Sequence, residues 1–144
     1  MKSNDCGPRW LVLVSCFLSL GINEAAFIGA ERCKLCHRSI YVSWKATAHA
    51  RATESLNLEK EKPTCLPCHS TGPSALPGVQ CESCHGAGGD YWPAEIMMDP
   101  AKAREAGQIP PNESICRKCH GNGLPGHANA FQMPSGSALA AATH

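Results

Sequence analysis

Cys33-Lys34-Leu35-Cys36-His37 decides how this chain is read, because its pattern returns three times, as Cys65-Leu66-Pro67-Cys68-His69, Cys81-Glu82-Ser83-Cys84-His85 and Cys116-Arg117-Lys118-Cys119-His120. Cys-x-x-Cys followed at once by histidine is the attachment sequence of a c-type haem. Two thiols one helical turn apart add across the two vinyl groups of one porphyrin edge, and the adjacent histidine swings beneath the ring to bind iron. Histidine is scarce, 7 in 144 residues. Four chance placements behind Cys-x-x-Cys have a joint probability of roughly one in 10⁵ to 10⁶. The expected cofactor set is therefore four haem c, held by Cys33, Cys36, Cys65, Cys68, Cys81, Cys84, Cys116 and Cys119, with His37, His69, His85 and His120 on iron. Paired Cys-x-x-Cys units also build four-thiolate zinc sites, but zinc needs no histidine directly after the second cysteine. A secreted chain with eight free thiols would otherwise tend to form disulfides.

The secreted character is read from the amino terminus. Lys2 and Arg9 precede an apolar stretch at 10–20, and Ser19-Leu20-Gly21 puts small residues where a secretory cleavage site prefers them. Residues 1–21 are read as a signal peptide and 22–144 as one tetrahaem domain. Two alternatives stand beside this. An anchor helix needs roughly 20 apolar residues, about twice this run. Leu13-Val14-Ser15-Cys16 resembles a lipobox, which would lipidate Cys16 and bring the chain to a membrane. Removal of 1–21 takes Cys6 and Cys16 and leaves no unpaired cysteine. The chain is expected to be periplasmic or otherwise extracytoplasmic.

Composition supports a fold organised by its cofactor. Residues 22–144 hold 15 Leu, Ile and Val and two Phe, too few to offset the entropy of ordering such a chain. Four flat apolar porphyrins would serve as the core, and the apoprotein should be largely unstructured. A formal charge of +1 gives no concentrated basic surface, so a nucleic-acid partner is excluded. Residues 22–144 balance 11 Lys+Arg against 11 Asp+Glu, so the haem propionates should make the holoprotein acidic.

The expected architecture is mainly α with extensive loops. Ile40, Tyr41, Trp44, Ala48 and Ala52 recur at helical spacing without Gly or Pro, which predicts one helix over 37–56 with Tyr41 and Trp44 packed on porphyrin. A charged segment at 59–62 leads through Pro63 to the second motif. Residues 70–80 read as a Gly/Pro-rich connection. Because Cys65 and Cys81 are only 16 positions apart, the second and third haems are expected to be near neighbours. Asp99-Pro100, the helix-forming run after them and Gly107 predict a short capped helix.

The segments 33–56 and 78–86, with the Trp44-Lys45-Ala46-Thr47-Ala48-His49-Ala50 element, resemble the first and third haem segments of the cytochrome c-554 family. These are tetrahaem cytochromes that accept electrons from hydroxylamine oxidoreductase in ammonia oxidisers. The resemblance covers most of 30–121. It implies a mostly helical fold, closely stacked haem pairs, periplasmic electron transfer and distal histidines at most irons. The chain lacks the histidine that family members can carry soon after the third motif.

Beyond the four motif histidines only His49, His127 and His144 remain. All three are candidate distal ligands, and three cannot complete four irons. The remaining iron takes Met97, Met98 or Met133, stays five-coordinate, or borrows a ligand from another chain. In a continuous helix His49 would lie about 18 Å along the axis from His37, so it should serve a different iron. These counts predict an electron-transfer protein working between a redox donor and a redox acceptor, with no catalytic residues of its own. An open iron, which the resemblance would place at the His69 haem, would instead allow chemistry on a small nitrogen or oxygen species. A ligand crossing between copies would allow self-association into a conductive filament.

Overall fold

The computed structural model describes residues 25–121. The 1–21 segment with Cys16, and His127, Met133 and His144, lie outside the described residues. Within them the chain is mainly helical, with long irregular connections and a two-stranded sheet. The helices are α1 (Ala30–Cys33), α2 (Arg38–Lys45), α3 (Leu58–His69), α4 (Cys81–His85), α5 (Ala94–Met97), α6 (Pro100–Glu105) and α7 (Glu113–Arg117). The strands β1 (Ser70–Thr71) and β2 (Leu76–Pro77) pair antiparallel.

The helix expected over 37–56 is cut short. It ends at Lys45, and the chain turns through residues 46–51 into a 3₁₀ segment, Ala52–Ser55. Thr47 ends it, its hydroxyl donating to the Trp44 carbonyl at 2.7 Å in place of the next helical N–H. The Arg51 guanidinium donates to the Ala46 carbonyl. The axial separation of His37 and His49 inferred from a continuous helix therefore does not hold.

Trp44 is buried and committed to protein contacts. Its Nε1–H donates to the Val79 carbonyl at 2.8 Å, and its ring lies 5.6 Å from that of Tyr41. Tyr41 in turn donates its hydroxyl to Glu31.

The charged segment before the second motif is helix rather than linker, since α3 runs through Pro63 and Pro67 to His69. Each proline removes one backbone donor. The helix ends where Ser70 becomes extended and its hydroxyl donates to the Leu66 carbonyl at 2.7 Å.

The connection at 70–80 holds the hairpin, its turn made with Gly72 and Ala75 at positive φ. Fully buried Thr71 anchors this hairpin. Its Oγ1 donates to the Gly78 carbonyl at 2.8 Å, accepts the Gln80 N–H at 2.7 Å and meets the Ser83 hydroxyl at 2.7 Å, tying the hairpin to α4.

The capped helix appears as predicted. Asp99 Oδ1 accepts the N–H groups of Ala101 and Lys102 at 3.0 and 3.3 Å, Pro100 opens α6, and Gly107 beyond it has φ +98°.

Apolar burial is small. Among the described residues the buried apolar side chains are Ala30, Trp44, Tyr91 and Ala103, while Leu35, Val42 and Met98 are 72%, 61% and 84% exposed.

Candidate haem-attachment sites

Each motif sits at a helix end, where the chain can turn its histidine away from the cysteines. Cys33 closes α1 and His37 caps the start of α2; His69 closes α3; His85 closes α4; His120 follows α7. In the first motif the His37 N–H donates to the Cys33 carbonyl at 2.9 Å, and the same bond joins His120 to Cys116. One turn of helix thus brings the two thiols to one side, as double attachment to a porphyrin edge requires.

The cysteines of different motifs meet in pairs. Cys33 of the first motif lies beside Cys81 of the third, while its Sγ–H points to the Gly29 carbonyl at 3.8 Å. Cys81 first and burial next push the Cys33 thiol up, and Cys33 in turn lowers Cys81. Cys68 of the second motif contacts Cys119 of the fourth, whose thiol is pushed up to about 12 by burial first and by Cys68 next. Burial also raises Cys84, with Cys116 of the fourth motif adding to it. Thiols of the first and third, the third and fourth, and the second and fourth motifs are therefore neighbours. The hairpin carries the chain from His69 to α4, which packs on α1.

The rings of His69 and His85 have polar partners at Nδ1. His69 Nδ1 lies 2.9 Å from the Ala52 carbonyl and 3.3 Å from Ser55 Oγ. A carbonyl accepts only, so Nδ1 carries the proton and Nε2 the lone pair, which is the tautomer that binds metal. The Thr53 hydroxyl donates to the His69 carbonyl and holds the same 3₁₀ turn against the motif. His85 Nδ1 lies 3.3 Å from the Gln108 side-chain amide, and the Ile109 N–H donates to the His85 carbonyl at 2.9 Å. Gln108 and Ala52 carry no motif signal, because they are brought in by the fold from 23 and 17 positions away.

His49 is half-buried in the turn after α2, and its ring meets that of His120, with centres 5.8 Å apart and planes at 70°. Two imidazoles brought this close could hold one metal ion between them. Met97 closes α5 half-buried, and Met98 is the most exposed of the large apolar side chains named above.

The donor set fits haem c: eight free thiols in four helical pairs, a histidine behind each, scant apolar burial, and one further histidine beside His120. No helix of the described residues is long and apolar enough to cross a membrane.

Comparison with known proteins points the same way. The family model described as cytochrome c554 and c-prime matches residues 32–86. The curated cytochrome c-554 of Nitrosomonas europaea is 35% identical over 97 residues, a match covering 47% of this chain and 41% of that protein. The chain thus aligns with less than half of that relative's length. The solved structure of reduced cytochrome c554 from Nitrosomonas europaea superposes with a TM-score of 0.55 at 26% identity, covering 81% of this chain and 76% of the other. Motif, fold and relatives agree: the chain is similar in sequence and in fold to the cytochrome c-554 proteins, a likeness that implies covalently bound haem c.

Proposed function

We propose that this chain is an extracytoplasmic electron carrier that relays electrons through four haem c groups between a redox donor and a redox acceptor. The observation that carries this reading is the contact between motifs: Cys33 with Cys81 and Cys68 with Cys119, with Cys116 acting on Cys84. Those contacts support an attachment order of first, third, fourth and second motif, a continuous row rather than four separated centres. Haem c supplies one-electron exchange at iron, at a potential set by axial ligand, burial and hydrogen bonding.

The chain's own residues divide the remaining work. Cys33 and Cys36, Cys65 and Cys68, Cys81 and Cys84, and Cys116 and Cys119 form the thioether bonds. His37, His69, His85 and His120 take the proximal iron positions. His49 takes the distal position opposite His120, a role the 5.8 Å ring separation supports. Ala52 and Ser55 orient His69, and Gln108 orients His85. His127 and His144 remain candidates for two of the other distal positions. Residues 1–21 act as the secretory signal and 22–144 as the mature domain.

The test is intact mass and electron paramagnetic resonance of the mature protein, with and without nitric oxide. The expected mass is that of the processed chain plus four haems. Low-spin signals unchanged by the gas are the result for a pure carrier. Fewer than four haems would overturn the proposal. A high-spin signal that collapses with nitric oxide would move the function to small-molecule chemistry at an open iron.

A further inference from the structure

Glu82 is the one charged side chain among the described residues that is buried, at 2% exposed. It occupies the first variable position of the third motif, directly beside Cys81. Its Oε1 accepts the N–H of Ile28 at 2.9 Å and of Gly88 at 2.7 Å, and its Oε2 accepts the N–H of Gly29 at 2.8 Å. Three backbone donors thus converge on one carboxylate. Among the described residues no lysine or arginine forms an ion pair with it; the ion pairs there are Lys34–Glu31, Lys102–Asp99 and Arg117–Glu113. Among the described residues the carboxylate is held by backbone N–H groups, with no cation paired to it.

The clamp joins three places in the sequence. Residues 26–29 are drawn across α4, the Gly89 N–H donates to the Ala26 carbonyl at 2.9 Å, and Gly29 opens α1, which ends in Cys33. Gly88 admits this approach because any Cβ there would meet Glu82 Oε1 and Ile28 at 3.0 Å. Cys33, Cys81 and Tyr91 all feel the Glu82 charge. A single buried anion therefore stands beside the junction of the first and third attachment sites, and the described part of the second and fourth sites has no equivalent.

We propose that Glu82 is a potential-setting residue, whose fixed charge lowers the reduction potentials of the two haems attached through Cys33 and Cys81 relative to the other pair. This rests on the four-haem relay reading above. Reduction adds one electron to the iron of each haem, ferric to ferrous, and an adjacent negative charge opposes that addition. The interaction is strengthened because the site is withdrawn from water. The consequence is directional: electrons are released from the first and third sites toward the fourth and second.

The experiment is a haem-resolved redox titration of the mature holoprotein, following haem-methyl resonances by NMR, for the wild type, Glu82→Gln and Glu82→Asp. Intact mass first confirms four haems in each, so failure of the relay reading shows there and not in the potentials. Glu82→Gln keeps the shape and removes the charge, and is expected to raise the potentials of the first and third haems while leaving the second and fourth in place. Glu82→Asp keeps the charge and is expected to leave the first pair low. Potentials of the first pair that stay put in Glu82→Gln overturn the proposal, as does an equal shift of all four. If Glu82→Gln does not mature, a first pair raised in Glu82→Asp, where the charge is retained, overturns it by showing that packing sets the potentials.

Discussion

The rings of His49 and His120 stand 5.8 Å apart at 70°, although 71 positions of chain separate them. The position of His49 is set by backbone. The Val79 N–H donates to the His49 carbonyl at 2.8 Å, and Val79 is itself held through its carbonyl by Trp44 Nε1. If the pair takes the two axial positions of one iron, His49→Ala leaves that iron five-coordinate. The expected outcome is conversion of one haem from low-spin to high-spin in the electron paramagnetic resonance spectrum, with the haem count unchanged. An unaltered spectrum would remove His49 from the ligand set.

Gly78 is where the hairpin exit passes the His49 turn. Its φ is +79°, and a Cβ there would lie 2.5 Å from the Ala50 carbonyl oxygen, while its N–H donates to Thr53 Oγ1 at 2.7 Å. Gly78→Ala should cost at least about 1–2 kcal/mol from the left-handed backbone alone, with the backbone collision added. Thermal unfolding of the holoprotein should fall by several degrees, and the haem opposite His49 should gain high-spin character. A variant as stable as wild type would show that the turn has room to yield.

Trp44→Phe keeps the ring and deletes the Nε1–H bond to the Val79 carbonyl. Leaving that acceptor without its donor is expected to cost about 1–3 kcal/mol. Denaturant unfolding monitored at the Soret band measures it, and an unchanged midpoint would mean the carbonyl finds water.

The exposed Glu31 carboxyl is held below its ordinary value, first by the Tyr41 hydroxyl and then by Lys34. A lowered carboxylate contributes stability that is in place above its ordinary range and vanishes as pH falls through the lowered value. In Tyr41→Phe the Glu31 carboxyl, followed by NMR titration, should move up. No movement would mean that Lys34 alone accounts for the shift.

Preventing haem attachment is the broadest perturbation. The described residues bury only Ala30, Trp44, Tyr91 and Ala103 as apolar side chains, so the apoprotein should give a far-ultraviolet circular dichroism spectrum of low helicity and no cooperative melt. A cooperative transition without haem would refute the view that porphyrin replaces the core.

The Cys-x-x-Cys-His repeats and the helical, loop-rich class were legible in the sequence, because both depend on local rules. A thioether pair and its histidine need one helical turn of chain, and Asp99, Pro100 and Gly107 announce their helix through capping chemistry within nine residues. Even local reading failed where a side chain competes with the backbone, as at Thr47, which ends the helix that apolar spacing had extended to residue 56. Long-range relations were not legible. The pairing of the first motif with the third, the meeting of His49 with His120, the placement of Gln108 beside His85 and the burial of Glu82 under the 26–29 segment all follow from where the hairpin and the glycine turns direct the chain. Spacing along a sequence specifies which groups are present and which neighbours can share a turn; only the folded path determines which distant groups share a site, because their proximity rests on backbone hydrogen bonds and close approaches that carry no residue-type signature.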